Sequence, residues 1–207
     1  MLFILAAGSA LPATELVVRD LQVDAVILPT TFRYQMSSPT RNADGDDRFR
    51  SGTGLRLGGR RALSGAGDSF GLVLGADLIN DAWTYAGSGS LWGYGAHVSA
   101  GLGWAIHDHW TLVCESGLGL GLNRLSLPAT GSGPGLTTTG RWLAWDCRLA
   151  AGWQVSRRMI LRAQCGWMTA KHRERDADGI TDTLTPSGLT VGFGLAWRLS
   201  NAPQPLR

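Results

Sequence analysis

The chain has 207 residues, 29 of them glycine, about twice the ~7% of ordinary usage, and its charged fraction of 17% falls below the usual ~25%. Nineteen basic residues against 16 acidic ones leave a net charge of +3, too mixed for a nucleic-acid clamp, and 44% hydrophobic content with nine tryptophans argues against disorder. The longest stretch without Asp, Glu, Lys or Arg, Ala82 to His107, is interrupted by glycine, serine and histidine, which excludes a helical membrane span.

Residues 1–13, an apolar run ending in small residues, read as a secretory signal with cleavage after Ala10 or Ala13, although no Lys or Arg precedes the apolar core. A single domain over 14–199 and a tail over 200–207 complete the expected organisation. From residue 20 on, apolar residues recur every second position, the pattern of strands with two chemically different faces. The first two segments, Leu21 to Met36 and Phe49 to Leu63, are the least regular, and Pro29 leaves the parity of the first ambiguous. Next, Phe70, Leu72, Leu74 and Leu78 oppose Gly71, Gly75, Asp77 and Asp81. Trp92, Tyr94, Val98, Leu102, Trp104 and Ile106 oppose Gly93, Gly95, His97, Ser99, Gly101 and Gly103. Trp110 to Leu122 sets Leu112, Cys114, Leu118 and Leu120 against Glu115, Gly117, Gly119 and Gly121. Arg141 to Val155 sets Leu143, Trp145, Cys147, Leu149 and Trp153 against Asp146, Arg148, Gly152 and Gln154. Met159 to Lys171 sets Leu161, Ala163, Cys165 and Trp167 against Arg162, Gln164 and Gly166. The last segment sets Leu189, Val191, Phe193, Leu195, Trp197 and Leu199 against Thr190, Gly192, Gly194, Ala196, Arg198 and Ser200.

A soluble sandwich would place Lys, Glu, Thr and Asn on its second face. Here that face carries glycine with isolated charges, which suits the inside of a narrow closed barrel, and the row of Leu, Val and Trp suits a lipid-facing outside. The fold class expected is therefore all-β, an eight-stranded antiparallel transmembrane barrel in up-and-down order. The connections alternate accordingly. Ser37 to Arg48, Leu127 to Gly140 and Arg173 to Pro186 are expected as surface loops, with Ser64 to Asp68, His107 to His109 and Ser156 to Arg158 as periplasmic turns. Trp92, Trp145 and Trp167 fall towards the long-loop ends and Trp104, Trp110, Trp153 and Trp197 towards the short-turn ends, giving two aromatic girdles.

In this pattern the chain resembles the small bacterial outer-membrane β-barrels of the OmpA membrane domain, OmpX and OmpW class, over roughly residues 21–199. The most specific piece is Thr190-Val191-Gly192-Phe193-Gly194-Leu195-Ala196-Trp197, which is similar to the family's assembly signal. The resemblance implies an outer-membrane location, contact with membrane lipid and lipopolysaccharide, recognition of the last strand by the barrel-insertion machinery, and a monomer. It implies a non-enzymatic protein acting in envelope integrity or surface interaction, with a narrow pore for small solutes and a lipid A-modifying hydrolase as the alternatives. No cofactor, metal or nucleic acid is expected.

Gly117-Leu-Gly119-Leu-Gly121 lies along a strand with no following βαβ unit, which argues against a dinucleotide fingerprint. His107 and His109 sit in a turn with Asp108 alone for company, a poor metal site. Cys114, Cys147 and Cys165 share the outer face as small hydrophobes, with a Cys147–Cys165 disulfide as the alternative. His97 and Ser99 have the spacing of a base and nucleophile in an outer-membrane lipid A deacylase of similar fold. Glu115, the nearest Glu, is expected opposite Gly101 or Gly103, roughly 13 Å or more from His97 along the strand, and both His97 and Ser99 face the lumen. Arg56, Arg60, Arg148, Arg162 and Arg198 are expected to pair inside with Asp77, Asp81, Glu115 and Asp146, plugging the barrel. At the rim, Asn42, Asp44, Asp46 and Asp47 of the first loop and Glu174, Asp176, Asp178 and Asp182 of the last are brought together by ring closure, and a weak divalent-cation site is weighed there against a solvated charged rim.

Overall fold

The computed structural model describes residues 20–38, 42–63, 70–85, 89–107, 109–128, 135–175 and 180–199. They form β1 (Asp20–Ile27), β2 (Thr31–Ser37), β3 (Asn42–Arg48), β4 (Ser51–Leu63), β5 (Phe70–Thr84), β6 (Ser90–His107), β7 (Trp110–Leu127), β8 (Leu136–Gln154), β9 (Met159–Arg175) and β10 (Thr181–Arg198). All pairings are antiparallel. Strands β1 and β4 to β10 follow one another in order, and β1 returns to β10 to close an eight-stranded ring. Nothing testing the expected leader or tail lies inside the described residues.

Two of the ten strands, β2 and β3, form a hairpin that extends the seam beyond the eight-stranded ring. Pro29 lacks the N–H a ladder needs, and the first expected strand divides there into β1 and β2. Gly188 of β10 stands beside Pro29 at φ +152°, a conformation natural only to glycine, so both sides of the seam bend at one height. Beyond the bend β2 stays paired to β10, and β3 pairs β2. The segment expected as the first surface loop is thus largely a β-hairpin. The last expected loop is also mostly strand, since β9 runs to Arg175 and β10 begins at Thr181.

The outer face is as the alternation requires. Ile106 and Leu120 are each 66% exposed and Phe193 is 64% exposed, values that only hydrocarbon makes favourable over so continuous a surface. An eighteen-residue strand such as β6 rises ~42 Å at ~3.3 Å per residue and ~45° tilt, against an apolar band of ~25 Å. The sheet therefore continues well above the membrane at the long-loop end. All three cysteines are free: Cys147 faces Trp167, and Cys165 faces Leu149.

Candidate functional site

The inward residues explain the glycine bias. One row around the ring reads Val26, Gly54, Asp81, Gly93, Asn123, Gly140, Glu174, Asp182 in register, with glycine on β4, β6 and β8. Another reads Gly101, Glu115, Arg148, Gly166, Thr190. Large lumenal side chains lie over several of these glycines: a Cβ on Gly75 would stand 2.6 Å from the Arg60 guanidinium carbon, and one on Gly121 would stand 2.8 Å from Trp142 Nε1. An eight-stranded ring leaves room only for such interdigitation.

The half of the lumen nearer the short turns holds a lattice of ions. Arg60 donates to both oxygens of Asp77 at 2.6 and 2.8 Å and to Glu115 at 3.1 Å. Arg148 bridges the same two carboxylates, at 2.8 Å to Glu115 and 3.2 Å to Asp77. Arg56 donates to Asp146 at 2.9 Å, and His97 lies between Asp77 and Asp146 at 3.4 and 3.3 Å. Gln22 donates to Asp77 at 3.3 Å. The expected inward ions all face the lumen, with Arg198 at the lower rim against Asp20 and Asp81 buried with one carboxylate oxygen unpartnered among the described residues. Asp24 was missed because Pro29 hid the parity of its strand. It meets Arg162 at 3.6 Å by reaching across β10 over Gly194, the residue in register with both.

Glu115 and His97 stand apart along the hairpin as its register requires, with His97 opposite Gly119. Glu115 does face Gly101, yet its carboxylate reaches one pair further and accepts from Ser99 Oγ at 2.8 Å. His97 is held by the two aspartates instead, and all three residues are buried.

Above the ions the filling is apolar, which the polar-plug expectation did not include. Leu28, Phe32, Phe49, Trp83, Leu91, Leu125, Trp142 and Met168 form one buried cluster. Phe32 and Phe49 stack at 4.1 Å, and Trp83 donates to the Pro29 carbonyl at 3.0 Å. Trp83 and Trp142 sit at inward parity, the one signal that sets them apart from the girdle tryptophans. His172 is wedged against both indoles, at 5.2 and 6.3 Å. Over this floor opens a hollow of about 320 Å³ whose lining includes Tyr34, Met36, Tyr85, Leu127 and Leu184.

At the rim, the described acids of the cation site weighed against a solvated charged rim do not gather into a ligand cluster. Glu174 is buried inside the ring and accepts from Asn123 at 2.6 Å and Thr138 at 2.9 Å, because β9 continues through it and parity turns it inward. Asp44 is engaged by Arg33 at 3.2 Å, and Asn42 accepts from Ser37. Asp176 and Asp178 lie outside the described residues, and among those described no group of three His, Cys, Asp or Glu is placed to hold a metal. Asp47, on the hairpin above the membrane band, accepts from the Tyr85 hydroxyl and the Arg48 amide. Those donors hold its carboxyl below the usual range, and the same contact raises the Tyr85 phenol.

A closed antiparallel ring that is apolar outside and ion-paired within defines an integral outer-membrane β-barrel, because hydrocarbon offers no partner to an open sheet edge. The chain is similar in fold to neisserial surface protein A, at 14% identity over 86% of this chain and 97% of that one, TM-score 0.43. It is also similar to Ail, the attachment invasion locus protein of Yersinia pestis, at 13% identity over 88% and 100%, TM-score 0.38. A third likeness is to the outer membrane protease OmpT from Escherichia coli, at 7% identity over 91% and 99%, TM-score 0.48. No family model and no curated protein matches the sequence.

Proposed function

We propose that the chain is a non-enzymatic, monomeric outer-membrane barrel whose lumen is closed to solutes and which acts through the rim above the membrane, in envelope integrity or surface interaction. The observation that carries this reading is the filled lumen: Arg60 and Arg148 each grip both Asp77 and Glu115, and the aromatic cluster lies across the path above them. Buried charges so paired are expensive to separate, so ions have no ready route through. The reading places the long-loop end outside the cell, lipid and lipopolysaccharide around the wall, and the last strand in the hands of the insertion machinery during assembly. The absence of enzymatic activity is supported by burial of His97, Ser99 and Glu115 away from any lipid. Planar-bilayer recording of the refolded chain tests the closed lumen: no steady conductance is expected. A stable unitary current would favour the narrow pore instead, and a change in lipid A mass on expression would favour the hydrolase.

A further inference from the structure

The outer wall changes abruptly above the upper girdle on one side of the ring. On β7 and β8 the exposed apolar residues Leu120, Leu122, Leu143 and Trp145 give way, at the next outward positions, to Arg124 and Arg141, and on β9 Trp167 is followed past Thr169 by Lys171 and Arg173. Arg141 and Arg173 are direct cross-strand partners. Arg124 and Lys171 lie diagonally from Arg141, since Arg141 faces Leu122 on one side and Lys171 faces Leu143 on the other. Like charges set directly opposite on a sheet repel, and among the described residues none of the four has a carboxylate partner. The one outward arginine on β2, Arg33, is by contrast neutralised by Asp44.

We propose that this wall binds a phosphorylated lipid of the outer leaflet, its phosphates held by Arg124, Arg141, Lys171 and Arg173 and its acyl chains lying along the leucines and tryptophans beneath. The inference rests on the outer-membrane reading with the long-loop end outermost. Two features select a lipid over a free anion. The cations stand at headgroup height, immediately above the hydrocarbon-facing strip, and they point outward along the wall rather than into any hollow. Guanidinium forks match phosphate oxygens in pairs, and a phosphate between Arg141 and Arg173 removes the repulsion that the bare pair suffers.

The test uses the full chain refolded into phosphatidylcholine nanodiscs, with and without bisphosphorylated lipid A, and native mass spectrometry of the lipid retained after transfer to detergent. Wild type is expected to retain lipid A in preference to phosphatidylcholine, and Arg141→Gln/Arg173→Gln to lose about tenfold or more of that retention, the scale of a lost charge-assisted bond. Arg157→Gln/Arg158→Gln, in the turn at the other end, should match wild type. A second pair, Arg124→Gln/Lys171→Gln, should weaken retention in the same direction, which keeps the test valid if the first pair folds poorly. Without lipid A the Arg141/Arg173 variant should melt at or above wild type, and with lipid A below it. Equal retention by both pairs and wild type, or an unchanged melting order, overturns the proposal. Saturation of the wall by millimolar inorganic phosphate alone, without lipid, would also overturn it in favour of a simple anion site. Conductance of the same samples reports separately on the closed lumen, so the two readings can fail independently.

Discussion

Glycine in this barrel is the complement of a large side chain, and single substitutions should reveal it. Gly95 and Gly121 face each other across β6 and β7, and the Trp142 indole lies over Gly121 while donating to the Tyr94 carbonyl at 3.3 Å. A Cβ there would meet the Tyr94 carbonyl and stand 2.7 Å from Gly95 Cα, so Gly121→Val must part β6 from β7 as well as displace the indole. We expect a loss of about 1–3 kcal/mol or more, the cost of overpacking, read from urea unfolding of the refolded chain. The opposite error, removing a member of the ion lattice, should cost more. Glu115→Ala leaves Arg60 and Arg148 sharing Asp77 alone, and breaking a buried pair from one side costs about 3–5 kcal/mol; the same unfolding assay should show Ser99→Ala, which removes one hydrogen bond at 2.8 Å, to be milder. On the hairpin the Asp47–Tyr85 contact should respond to pH at both ends. Because the folded Asp47 carboxyl lies below its ordinary value of 3.8, the stabilisation is present above that value and is lost as pH falls through the folded one. Because the folded Tyr85 phenol lies above 10.0, the contact persists below that value and is lost as pH rises through the folded one. Ultraviolet titration in a Tyr34→Phe/Tyr94→Phe background should find Tyr85 ionising late, and Asp47→Asn should return it towards 10.0.

At the scale of elements, the hairpin β2–β3 is attached to the barrel rather than part of its ring, since its ladder contacts run only to β10. Replacing residues 34–45 with an Asn-Gly turn should therefore leave a closed barrel, seen as unchanged strand content in circular dichroism and a retained gel-mobility shift between unheated and boiled samples. Collapse of the fold would show that the ring depends on the hairpin. Most of the elements were legible because the two-residue alternation from Phe70 onward is a direct print of lipid outside and side chains inside. What escaped had specific causes. Pro29 broke the alternation, so Asp24 could not be assigned to the lumen. Asn42-Ala-Asp-Gly-Asp-Asp-Arg48 has the composition of a turn, yet pairing to β2 makes it a strand, an outcome set by the neighbouring ladder rather than by local preference. Glu174 was read as a loop acid because charged residues cluster after Thr169, although Lys171, Arg173 and Arg175 outward and His172 and Glu174 inward keep strict strand parity. The upper aromatic filling was legible in principle, because Trp83 and Trp142 fall on the glycine face.

Taken whole, the molecule is a wall with two fillings, ions towards the short turns and aromatic rings towards the rim. Water reaching the ions from above would have to pass Trp83, Leu91 and Trp142. Combined Trp83→Ala and Trp142→Ala substitution should therefore make the lattice accessible from the rim, detectable as faster hydrogen exchange of the β6 and β7 amides near His97 and Glu115, with the β1–β10 amides unaffected. The β1–β10 joint itself carries the Asp24–Arg162 contact across Gly194. That contact makes completion of the wall an electrical event as well as a mechanical one. Until the first strand arrives, Arg162 has no counter-ion from β1 and Asp24 has none from β9, so a partly zipped sheet in hydrocarbon would hold two bare charges on either side of its gap. Joining the edges neutralises both in the same step that satisfies the last backbone donors. Assembly intermediates should therefore be sparsely populated, with the sheet either open at the membrane surface or shut within it.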